Sequence, residues 1–249
     1  MRRFGLIGYP LSHSFSAGYF AQKFEKEKIS EAVYENFSIE SIDLFPELLK
    51  AHTDFSGFNV TIPYKEKIIP FLDELNETAK AVGAVNTIKF IRNNNTKPRL
   101  VGYNTDIYGF ETSLTPLLMP HHKKALILGT GGASKAIKYI LKTKGISYIS
   151  ASIEDLKENE IRYEDIDKTM IEDRLLIINC TPLGTYPKVD TCPSIPYENI
   201  TPNHVLYDLV YNPEETLFLR KGKAKGARTT NGLKMLHLQA EKAWEIWNS

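Results

Sequence analysis

The chain has 249 residues, 42% of them hydrophobic and 11% aromatic, which suffices for one large or two modest packed domains. A formal net charge of +1 and the lack of a long apolar run exclude a general attraction to nucleic acid or to a membrane, so neither partner is expected. Two cysteines, without other thiols or histidines at ligand spacing, exclude a disulfide framework and a zinc site, and we expect a globular cytoplasmic protein without a metal.

The first hundred residues alternate between strand-like and helix-like patterns. In chain order they are a strand "RFGLIG" at 3–8, a helix at about 17–28, a strand "YENFSI" at 34–39, a helical stretch at 44–50 and a strand "GFNVTIPYK" that ends at Pro63. This alternation predicts a parallel or mostly parallel sheet with helices on its faces. The next stretch, "AVNTIKFIRNNNTKPRLVGYN", has two apolar runs around an Asn-rich turn, which predicts a hairpin.

The alternation restarts with "ALILG" and continues with apolar strands at "RLLIINC" and "HVLYDLVY". A final helix is predicted after Asn231, which is a plausible cap. Its apolar residues recur at helical spacing: Leu233, Leu236, Ala240, Ala243, Trp244 and Trp247. The two tryptophans are interpreted as core or domain-interface anchors.

A glycine-rich turn links the strand "ALIL" to an amphipathic helix, as in a dinucleotide-binding unit. Gly129 and Gly131 match the first two glycines of the G-x-G-x-x-G/A pattern, and the third position falls on Ser134. Gly132 and Ala133 add small residues between them. The beginning of the helix would present free N–H groups to a phosphate. On this pattern alone, a purely structural tight turn stays open as the alternative.

Three polar groupings follow strand-like stretches, where an open α/β sheet tends to bind its ligands. They are Ser12, Ser14 and Ser16; Asn59, Thr61 and Lys65; and Asn86, Thr87, Asn104 and Asp106. Hydroxyls, amides and one Lys/Asp pair suit a small, polyhydroxylated anion held by neutral donors. Each group also has a structural interpretation: Ser16 and Asp106 as helix caps, and Lys65 as a solvated side chain.

Eight short motifs follow one another along nearly the whole chain, from about Gly5 to Gln239. They are "PLSHSFS", "NVTIPYK", "GAVNT", "GYNTDIYGF", "LGTGGASKA", "NCTPLG", "YDLVYNPEETLFL" and "NGLKMLHLQA". In this order they resemble the shikimate dehydrogenase family. One such motif is weak evidence, whereas eight collinear motifs are specific.

The resemblance implies an α/β fold with two domains and the active site in the cleft. The N-terminal substrate domain, with a mostly parallel sheet, is expected at 1–105 together with 233–249. A Rossmann-like domain that binds NADP is expected at 106–232. The implied activity is the reversible NADPH-dependent reduction of 3-dehydroshikimate to shikimate, on the pathway to aromatic amino acids. The implied partner is a small-molecule substrate, and the chain is expected to be a monomer or a homodimer.

Site residues carry over at the positions where the motifs match. The implied catalytic pair is Lys65 and Asp106. The implied substrate ligands are Ser14 and Ser16 for the carboxylate, with Thr61, Asn86, Tyr211 and Gln239 around the rest of the substrate. The implied cofactor contacts are Gly129, Gly131, Gly132 and Ala133 in the turn, Thr181 beside it, and Leu209 and Gly232 beside the nicotinamide. Ser150 is added from its residue type alone, as a neutral hydrogen-bond donor near the ribose.

The chemistry expected of Lys65 is proton donation to the developing alkoxide, with Asp106 orienting the ammonium and hydrogen-bonding a substrate hydroxyl. The alternative is that Lys65 mainly binds substrate and water carries the proton. Three other functions stay open: a quinate/shikimate dehydrogenase that uses NAD, a non-catalytic dinucleotide-binding regulator, and a folate-type methylene dehydrogenase. Cys180 is interpreted as a buried, inert thiol.

The choice between NADP and NAD is the open point of the resemblance. NADPH-using members commonly have an arginine just after the second strand of the Rossmann-like domain, and this chain has Ala151 and Ser152 there. No acid occupies the position either, as an NAD site would prefer. We therefore expect NADP with weakened discrimination against NAD, unless a basic residue such as Lys157 or Lys135 replaces the arginine.

Overall fold

The computed structural model describes residues 1–11, 14–52, 54–92 and 97–249. They form two compact units: unit 1 comprises Met1–Thr105 and Ala240–Ser249, and unit 2 comprises Asp106–Gln239. The chain returns from unit 2 to unit 1 between Gln239 and Ala240, inside the last helix, whereas the predicted boundary follows residue 232. Packing within unit 2 explains this, because Gly109 approaches Met235 so closely that an added Cβ would lie 2.6 Å from the Met235 carbonyl oxygen.

Unit 1 is an α/β unit with one sheet. Its elements are β1 (Arg2–Gly8), α1 (Phe15–Lys26), β2 (Ala32–Ser38), α2 (Phe45–Ala51), β3 (Phe55–Val60), β4 (Glu74–Leu75), α3 (Glu77–Val82), β5 (Thr87–Ile91) and β6 (Arg99–Tyr103). The strand order is β2-β1-β3-β5-β6-β4. Strand β1 is parallel to β2 and β3, β4 is parallel to β6, and β5 is antiparallel to both its neighbours. The sheet is therefore mostly parallel, as predicted.

Strands β5 and β6 form the predicted hairpin. Their antiparallel register runs from Thr87 opposite Tyr103 to Ile91 opposite Arg99. The Asn-rich turn falls on residues 93–96, which lie outside the described residues. The hairpin places the beginning of β5 beside the end of β3, because these two strands run in opposite directions.

Strand β3 ends earlier than predicted, at Val60 instead of Pro63. The chain leaves the sheet at Thr61, where the Tyr64 N–H donates a hydrogen bond of 2.9 Å to the Thr61 carbonyl oxygen. The apolar run in the sequence continues through this turn, so the periodicity did not mark the end of the strand.

The sheet of unit 1 separates two apolar clusters. One consists of Ile7, Ile42, Phe45, Phe55, Phe58, Val60, Tyr64, Ile68, Ala79, Val85, Ile88, Phe90 and Leu100. The other consists of Phe4, Leu6, Phe20, Phe24, Tyr34, Ala240, Ala243 and Trp247. Along β1, Phe4 and Leu6 belong to one cluster and Ile7 to the other, because successive side chains of a strand point to opposite faces.

Trp247, near the end of the chain, is a core residue of unit 1. Its ring stacks on Phe4 with 4.7 Å between centroids, and its indole N–H donates a hydrogen bond of 3.0 Å to the Ile88 carbonyl oxygen. Gly57 of β3 makes this approach possible, because an added Cβ would overlap the Trp247 Nε1 atom. The prediction that Trp247 is an apolar anchor is confirmed.

Unit 2 is a parallel α/β unit. Its elements are α4 (Asp106–Leu114), β7 (Lys124–Leu128), α5 (Gly132–Thr143), β8 (Ser147–Ala151), β9 (Glu160–Ile161), α6 (Lys168–Asp173), β10 (Leu176–Asn179), β11 (Val205–Asp208), α7 (Leu217–Lys223), β12 (Arg228–Thr230) and the first half of α8 (Leu233–Asn248). The strand order is β12-β11-β10-β7-β8-β9, and all these neighbours pair in parallel.

The direction of strand succession reverses at β7. Strands β8 and β9 follow on one side of it, and β10, β11 and β12 follow on the other. In such sheets, ligands bind at the carboxyl ends of the strands beside this reversal. The glycine-rich turn is at that position, between the end of β7 and the beginning of α5.

Two features are absent from the described parts of the chain. No helix there has the length and apolarity that crossing a bilayer requires. No three His, Cys, Asp or Glu side chains there are grouped as a metal ion would need.

Candidate active site

The serines of "SHSFS" lie at the start of helix α1 in unit 1. Ser14 directly precedes the helix and Ser16 is in its first turn, whereas Ser12 lies outside the described residues. The Ser14 Oγ atom is buried and has no hydrogen-bond partner among the residues described. The first N–H groups of a helix also lack partners within the helix. An unsatisfied hydroxyl beside a helix N-terminus favours an anionic ligand such as a carboxylate.

Ser16 belongs to a chain of hydrogen bonds that crosses the sheet of unit 1. Its hydroxyl hydrogen-bonds with Tyr34, and burial raises the pKa of that phenol. The Tyr34 hydroxyl donates to Asn59 Oδ1 at 2.8 Å. The Asn59 Nδ2 group donates in turn to the Asn86 carbonyl oxygen at 3.2 Å and to Thr87 Oγ1 at 3.1 Å. Asn59 therefore connects the end of β3 to the beginning of β5, where Asn86 lies.

The Asn86 side chain is held in one orientation. Its Oδ1 atom accepts the Thr105 N–H at 2.7 Å, and its Nδ2 group donates to Thr105 Oγ1 at 3.1 Å. Asn104 is less satisfied: its Nδ2 group donates to the Ala84 carbonyl oxygen at 2.9 Å, while its buried Oδ1 atom has no partner within the described residues. A buried acceptor without a donor is costly, so Asn104 marks a second place where a ligand hydroxyl would be favourable.

Thr61 and Lys65 follow β3 at the same edge of the sheet. The Thr61 N–H donates to the Ile7 carbonyl oxygen at 2.8 Å, so the ends of β1 and β3 are adjacent. The Lys65 carbonyl oxygen accepts the Val85 N–H at 2.7 Å, which anchors the turn next to the beginning of β5. The Lys65 side chain is half-buried. Unit 1 thus brings Thr61 and Lys65 to the edge where Asn86 lies.

The glycine turn of unit 2 requires its first glycine. Gly129 has φ +98°, a backbone conformation that residues with a Cβ rarely adopt. An added Cβ would also lie 2.9 Å from the Thr181 Cγ2 atom, so the turn after β7 and the loop after β10 are in close contact. The Gly129 N–H donates to the Ala151 carbonyl oxygen at 2.9 Å, which connects the turn to the end of β8.

The beginning of helix α5 is open. Gly131 is the N-cap residue, and a Cβ added to Gly131 or Gly132 would meet no heavy atom of the described residues within 4 Å. Ser134 closes the first turn, with its hydroxyl and its N–H both donating to the Gly131 carbonyl oxygen, at 2.7 and 2.9 Å. An uncovered N-terminus on a 12-residue helix fits the pyrophosphate of a dinucleotide. Ala133, in the first turn, is half-buried.

The loop beside the turn is held by a buried network that the sequence did not predict. Asn179 Oδ1 accepts the Thr181 N–H and the Thr181 hydroxyl, at 3.0 and 2.7 Å. Its Nδ2 group donates to Asp208 Oδ1 at 2.9 Å, and the Thr216 hydroxyl donates to Asp208 Oδ2 at 2.6 Å. Burial raises the pKa of Asp208 to about 6, although these hydrogen bonds lower it. Asn179 and Asp208 belong to the motifs "NCTPLG" and "YDLVYNP", and this membership was the only indication in the sequence that they have a role.

Leu209 and Gly232 are in direct contact in unit 2. A Cβ on Gly232 would overlap the Leu209 carbonyl oxygen, so only glycine fits there. The Leu209 N–H donates to the Asn179 carbonyl oxygen at 2.9 Å, which connects this pair to the cofactor loop. Tyr211 follows, half-buried, and burial raises the pKa of its phenol.

Two further predicted residues lie on helices of unit 2. Asp106 is the first residue of α4 and is 6% exposed. Gln239 is 9% exposed, and its Nε2 group donates to the Leu236 carbonyl oxygen at 3.0 Å. The predicted catalytic pair is therefore divided, with Lys65 in unit 1 and Asp106 in unit 2.

Burial affects two residues named on the cofactor side. Ser150 is in β8, in register with Ile127, and its side chain has no exposed surface. Its Oγ atom has no hydrogen-bond partner among the described residues, and its contact with the cofactor stays a prediction. Burial raises the pKa of the Cys180 thiol, which keeps it protonated and agrees with the prediction of an inert cysteine.

Comparison with known proteins gives the family. Residues 6–88 match the model of the shikimate dehydrogenase substrate binding domain. A protein of Desulforamulus reducens named shikimate dehydrogenase (NADP+) is 37% identical over 98% of this chain and 88% of its own length. The chain belongs to the shikimate dehydrogenase family.

Solved structures of the family have the same fold. A shikimate dehydrogenase from Peptoclostridium difficile is 39% identical, with a TM-score of 0.84 over 100% of this chain and 92% of its own. The enzyme from Thermus thermophilus, solved in complex with NADP(H) and shikimate, is 31% identical, with a TM-score of 0.84 over 99% of this chain and 93% of its own. The two-domain α/β fold predicted for a shikimate dehydrogenase is confirmed.

Proposed function

We propose that this protein is a shikimate dehydrogenase, which reversibly reduces 3-dehydroshikimate to shikimate with NADPH in the biosynthesis of aromatic amino acids. The observation that carries this is the carboxyl edge of the parallel sheet in unit 2. There Gly129 with its positive φ, the open N-terminus of α5, the Thr181 loop and the Leu209–Gly232 contact follow successive strands. Ligands of open α/β sheets bind at this edge, which supports the proposal that these residues contact a dinucleotide.

NADP fits the donors at this edge. The N–H groups at Gly131, Gly132 and Ala133 would bind the pyrophosphate, and Leu209 and Gly232 would flank the nicotinamide. When bound, the reduced cofactor supplies the hydride for the ketone carbon. The Asn179–Asp208 network keeps the Thr181 loop in place beside it.

The substrate carboxylate is bound by Ser14 and Ser16 at the beginning of α1. The buried Ser14 hydroxyl, which has no partner among the described residues, gains an acceptor when a carboxylate binds. Neutral O–H and N–H donors are then sufficient, without an arginine. Thr61, Asn86, Tyr211 and Gln239 bind the rest of the substrate through hydroxyl, amide and phenol groups, which match a polyhydroxylated ring.

Lys65 and Asp106 carry the proton chemistry. The Lys65 ammonium donates a proton to the ketone oxygen as negative charge develops on it, and it stabilises that charge. Asp106 hydrogen-bonds a neighbouring substrate hydroxyl. In the opposite direction, Lys65 accepts the proton of the shikimate hydroxyl.

The first experiment measures nicotinamide reduction with purified protein and each pair of shikimate or quinate with NADP+ or NAD+. We expect turnover with shikimate and NADP+. Turnover with quinate and NAD+ in preference would favour the quinate/shikimate dehydrogenase alternative. No turnover with any of the four pairs would refute the proposed enzymatic activity.

The second experiment tests Lys65. We expect Lys65→Ala to lower kcat by about 10²–10⁴-fold, the usual contribution of general acid–base catalysis, with a much smaller change in shikimate affinity. Lys67, exposed in the same turn, provides the matched control, and Lys67→Ala should leave kcat unchanged. If Lys65→Ala keeps kcat and weakens only shikimate binding, then Lys65 binds substrate and water carries the proton.

A further inference from the structure

The place where the cofactor's ribose would lie has no basic side chain on β8. In NADPH-using members of the family, an arginine commonly follows this strand, whereas here β8 ends at Ala151 and Ser152 follows it. Ser152 connects this place to the glycine turn, because its Oγ atom lies 3.2 Å from Thr130 Oγ1, within hydrogen-bond distance. Ser152 also accepts the Glu154 N–H at 3.1 Å, which shapes the loop that follows.

The neighbouring strand brings a basic residue to this edge. Strands β8 and β9 are parallel, with Ala151 opposite Ile161, and the Ser152 N–H donates to the Ile161 carbonyl oxygen at 2.9 Å. Arg162 comes directly after Ile161 in the chain. It therefore leaves the sheet at the same edge and beside Ser152, although ten positions separate them in the sequence.

The Arg162 side chain turns toward the loop after β8. Its Nη1 group donates to the Glu154 carbonyl oxygen at 2.8 Å. Its backbone is fixed as well, because the Arg162 N–H donates to Asp165 Oδ2 at 3.1 Å. The guanidinium is thus held over the residues that follow Ser152, where an arginine of the usual pattern would begin.

The charge of Arg162 is not neutralised by an ion pair. Among the described residues, no carboxylate oxygen lies within 4.0 Å of its guanidinium nitrogens. A guanidinium has five N–H donors, and the Glu154 carbonyl occupies only part of them. Glu160, two residues earlier, is paired with Lys138 at 3.1 Å, whereas Glu154 and Asp155 on the loop are exposed to solvent.

We infer that Arg162 binds the 2′-phosphate of NADP and replaces the arginine that is missing at Ala151 or Ser152. The inference rests on the proposed function, since it assumes that unit 2 binds a dinucleotide. A guanidinium matches a phosphate with two parallel charge-assisted hydrogen bonds, which a lysine does not provide. The sequence suggested Lys157 or Lys135 as the replacement, because nothing in it showed that β9 pairs with β8.

The test is binding by isothermal titration calorimetry, with ligands that differ in the 2′-phosphate. The pairs are NADP+ against NAD+, and 2′,5′-ADP against 5′-AMP, the second pair having no nicotinamide and no turnover. We expect wild type to bind the member of each pair that has the 2′-phosphate at least tenfold more tightly. Arg162→Gln should weaken NADP+ and 2′,5′-ADP about 10- to 100-fold and change NAD+ and 5′-AMP less than twofold.

Two variants complete the design. Arg162→Lys keeps the charge without the planar fork and should give intermediate affinity for 2′,5′-ADP. Arg220→Gln removes an exposed arginine from α7 and should leave all four affinities unchanged. Thermal melting of each variant verifies folding, and Arg162→Lys carries the test if Arg162→Gln does not fold.

The outcomes separate the inference from the function on which it rests. Equal weakening of NADP+ and NAD+ by Arg162→Gln would mean that the side chain only holds its loop, and the inference would be overturned. Unchanged affinity of Arg162→Gln for 2′,5′-ADP would also overturn the inference, and so would a wild type that prefers NAD+. Neither result would contradict the proposed dehydrogenase activity. A wild type that binds neither dinucleotide would refute the proposed function itself.

Discussion

Asp208 provides the sharpest stability prediction, because its carboxylate is buried and still ionisable near neutral pH. It accepts hydrogen bonds from Asn179 Nδ2 at 2.9 Å, the Val210 N–H at 3.0 Å and the Thr216 hydroxyl at 2.6 Å. Each of these bonds favours the charged form, but burial outweighs them and raises the pKa to about 6. The group is completely inaccessible to solvent.

The magnitude follows from the difference between the folded and unfolded pKa. The pKa rises from 3.8 to about 6 on folding, about two units, and each unit corresponds to about 1.4 kcal/mol, or about 3 kcal/mol in total. The folded state binds the proton more tightly than the unfolded state. The corresponding stabilisation is therefore complete below pH 3.8 and is lost as the pH rises through about 6.

The perturbation is Asp208→Asn, which removes the titration and keeps the shape. The amide oxygen still accepts from Asn179 and Val210, and the amide N–H can donate to the Thr216 hydroxyl. The free energy of unfolding is measured by urea denaturation at pH 5 and pH 7.5 for both proteins. The difference, variant minus wild type, should be larger at pH 7.5 by about 1 kcal/mol.

The exposed Asp190 serves as the control, since Asp190→Asn also removes one negative charge but leaves no buried group behind. Its difference from wild type should be the same at both pH values. If the Asp208→Asn difference is equal at pH 5 and pH 7.5, or larger at pH 5, then the three hydrogen bonds outweigh burial and the reasoning is wrong.

Three further substitutions test the site and the packing. Replacing Ser14 and Ser16 together by alanine should raise the KM for shikimate at least about tenfold, with a smaller effect on kcat, because the carboxylate loses two donors. Gly129→Ala should lower the free energy of unfolding by about 1–3 kcal/mol and weaken NADP+ binding, since φ is +98° there. Gly57→Ala should destabilise unit 1 by about 1–3 kcal/mol, because the new methyl group would overlap the Trp247 ring. The displacement of the ring should change the intrinsic fluorescence of Trp247.

Matched controls exist for each of these. Ser30→Ala, at an exposed position, should leave KM unchanged. Gly18→Ala in α1 should be neutral or stabilising, because its Cβ would meet no neighbouring heavy atom of the described residues within 4 Å. A wild-type KM for shikimate in the double serine variant would refute the proposal that the carboxylate binds at the beginning of α1. Wild-type stability of either glycine variant would show that the backbone relaxes there more easily than the close contacts indicate.

The sequence by itself determined the local elements and the class of fold. The alternation of apolar runs with helical periodicity predicted parallel sheets, the two runs around the Asn-rich stretch predicted the β5–β6 hairpin, and Asn231 marked the beginning of α8, where its Oδ1 atom accepts the Leu233 N–H at 3.1 Å. These features depend on the periodicity and turn chemistry of neighbouring residues, which the residue types themselves constrain. The order of the eight motifs added the family.

Only the tertiary structure decided which distant residues meet. Ser150 lies in a strand that pairs on both sides, with β7 and with β9, and the sequence did not show this position. Asp208 acquired its role from the way β10 and β11 align with α7, and Arg162 from the register of β9, a strand of two residues that is too short for any periodicity. Strand pairing and burial arise from the packing of the whole unit, so a single segment does not contain them.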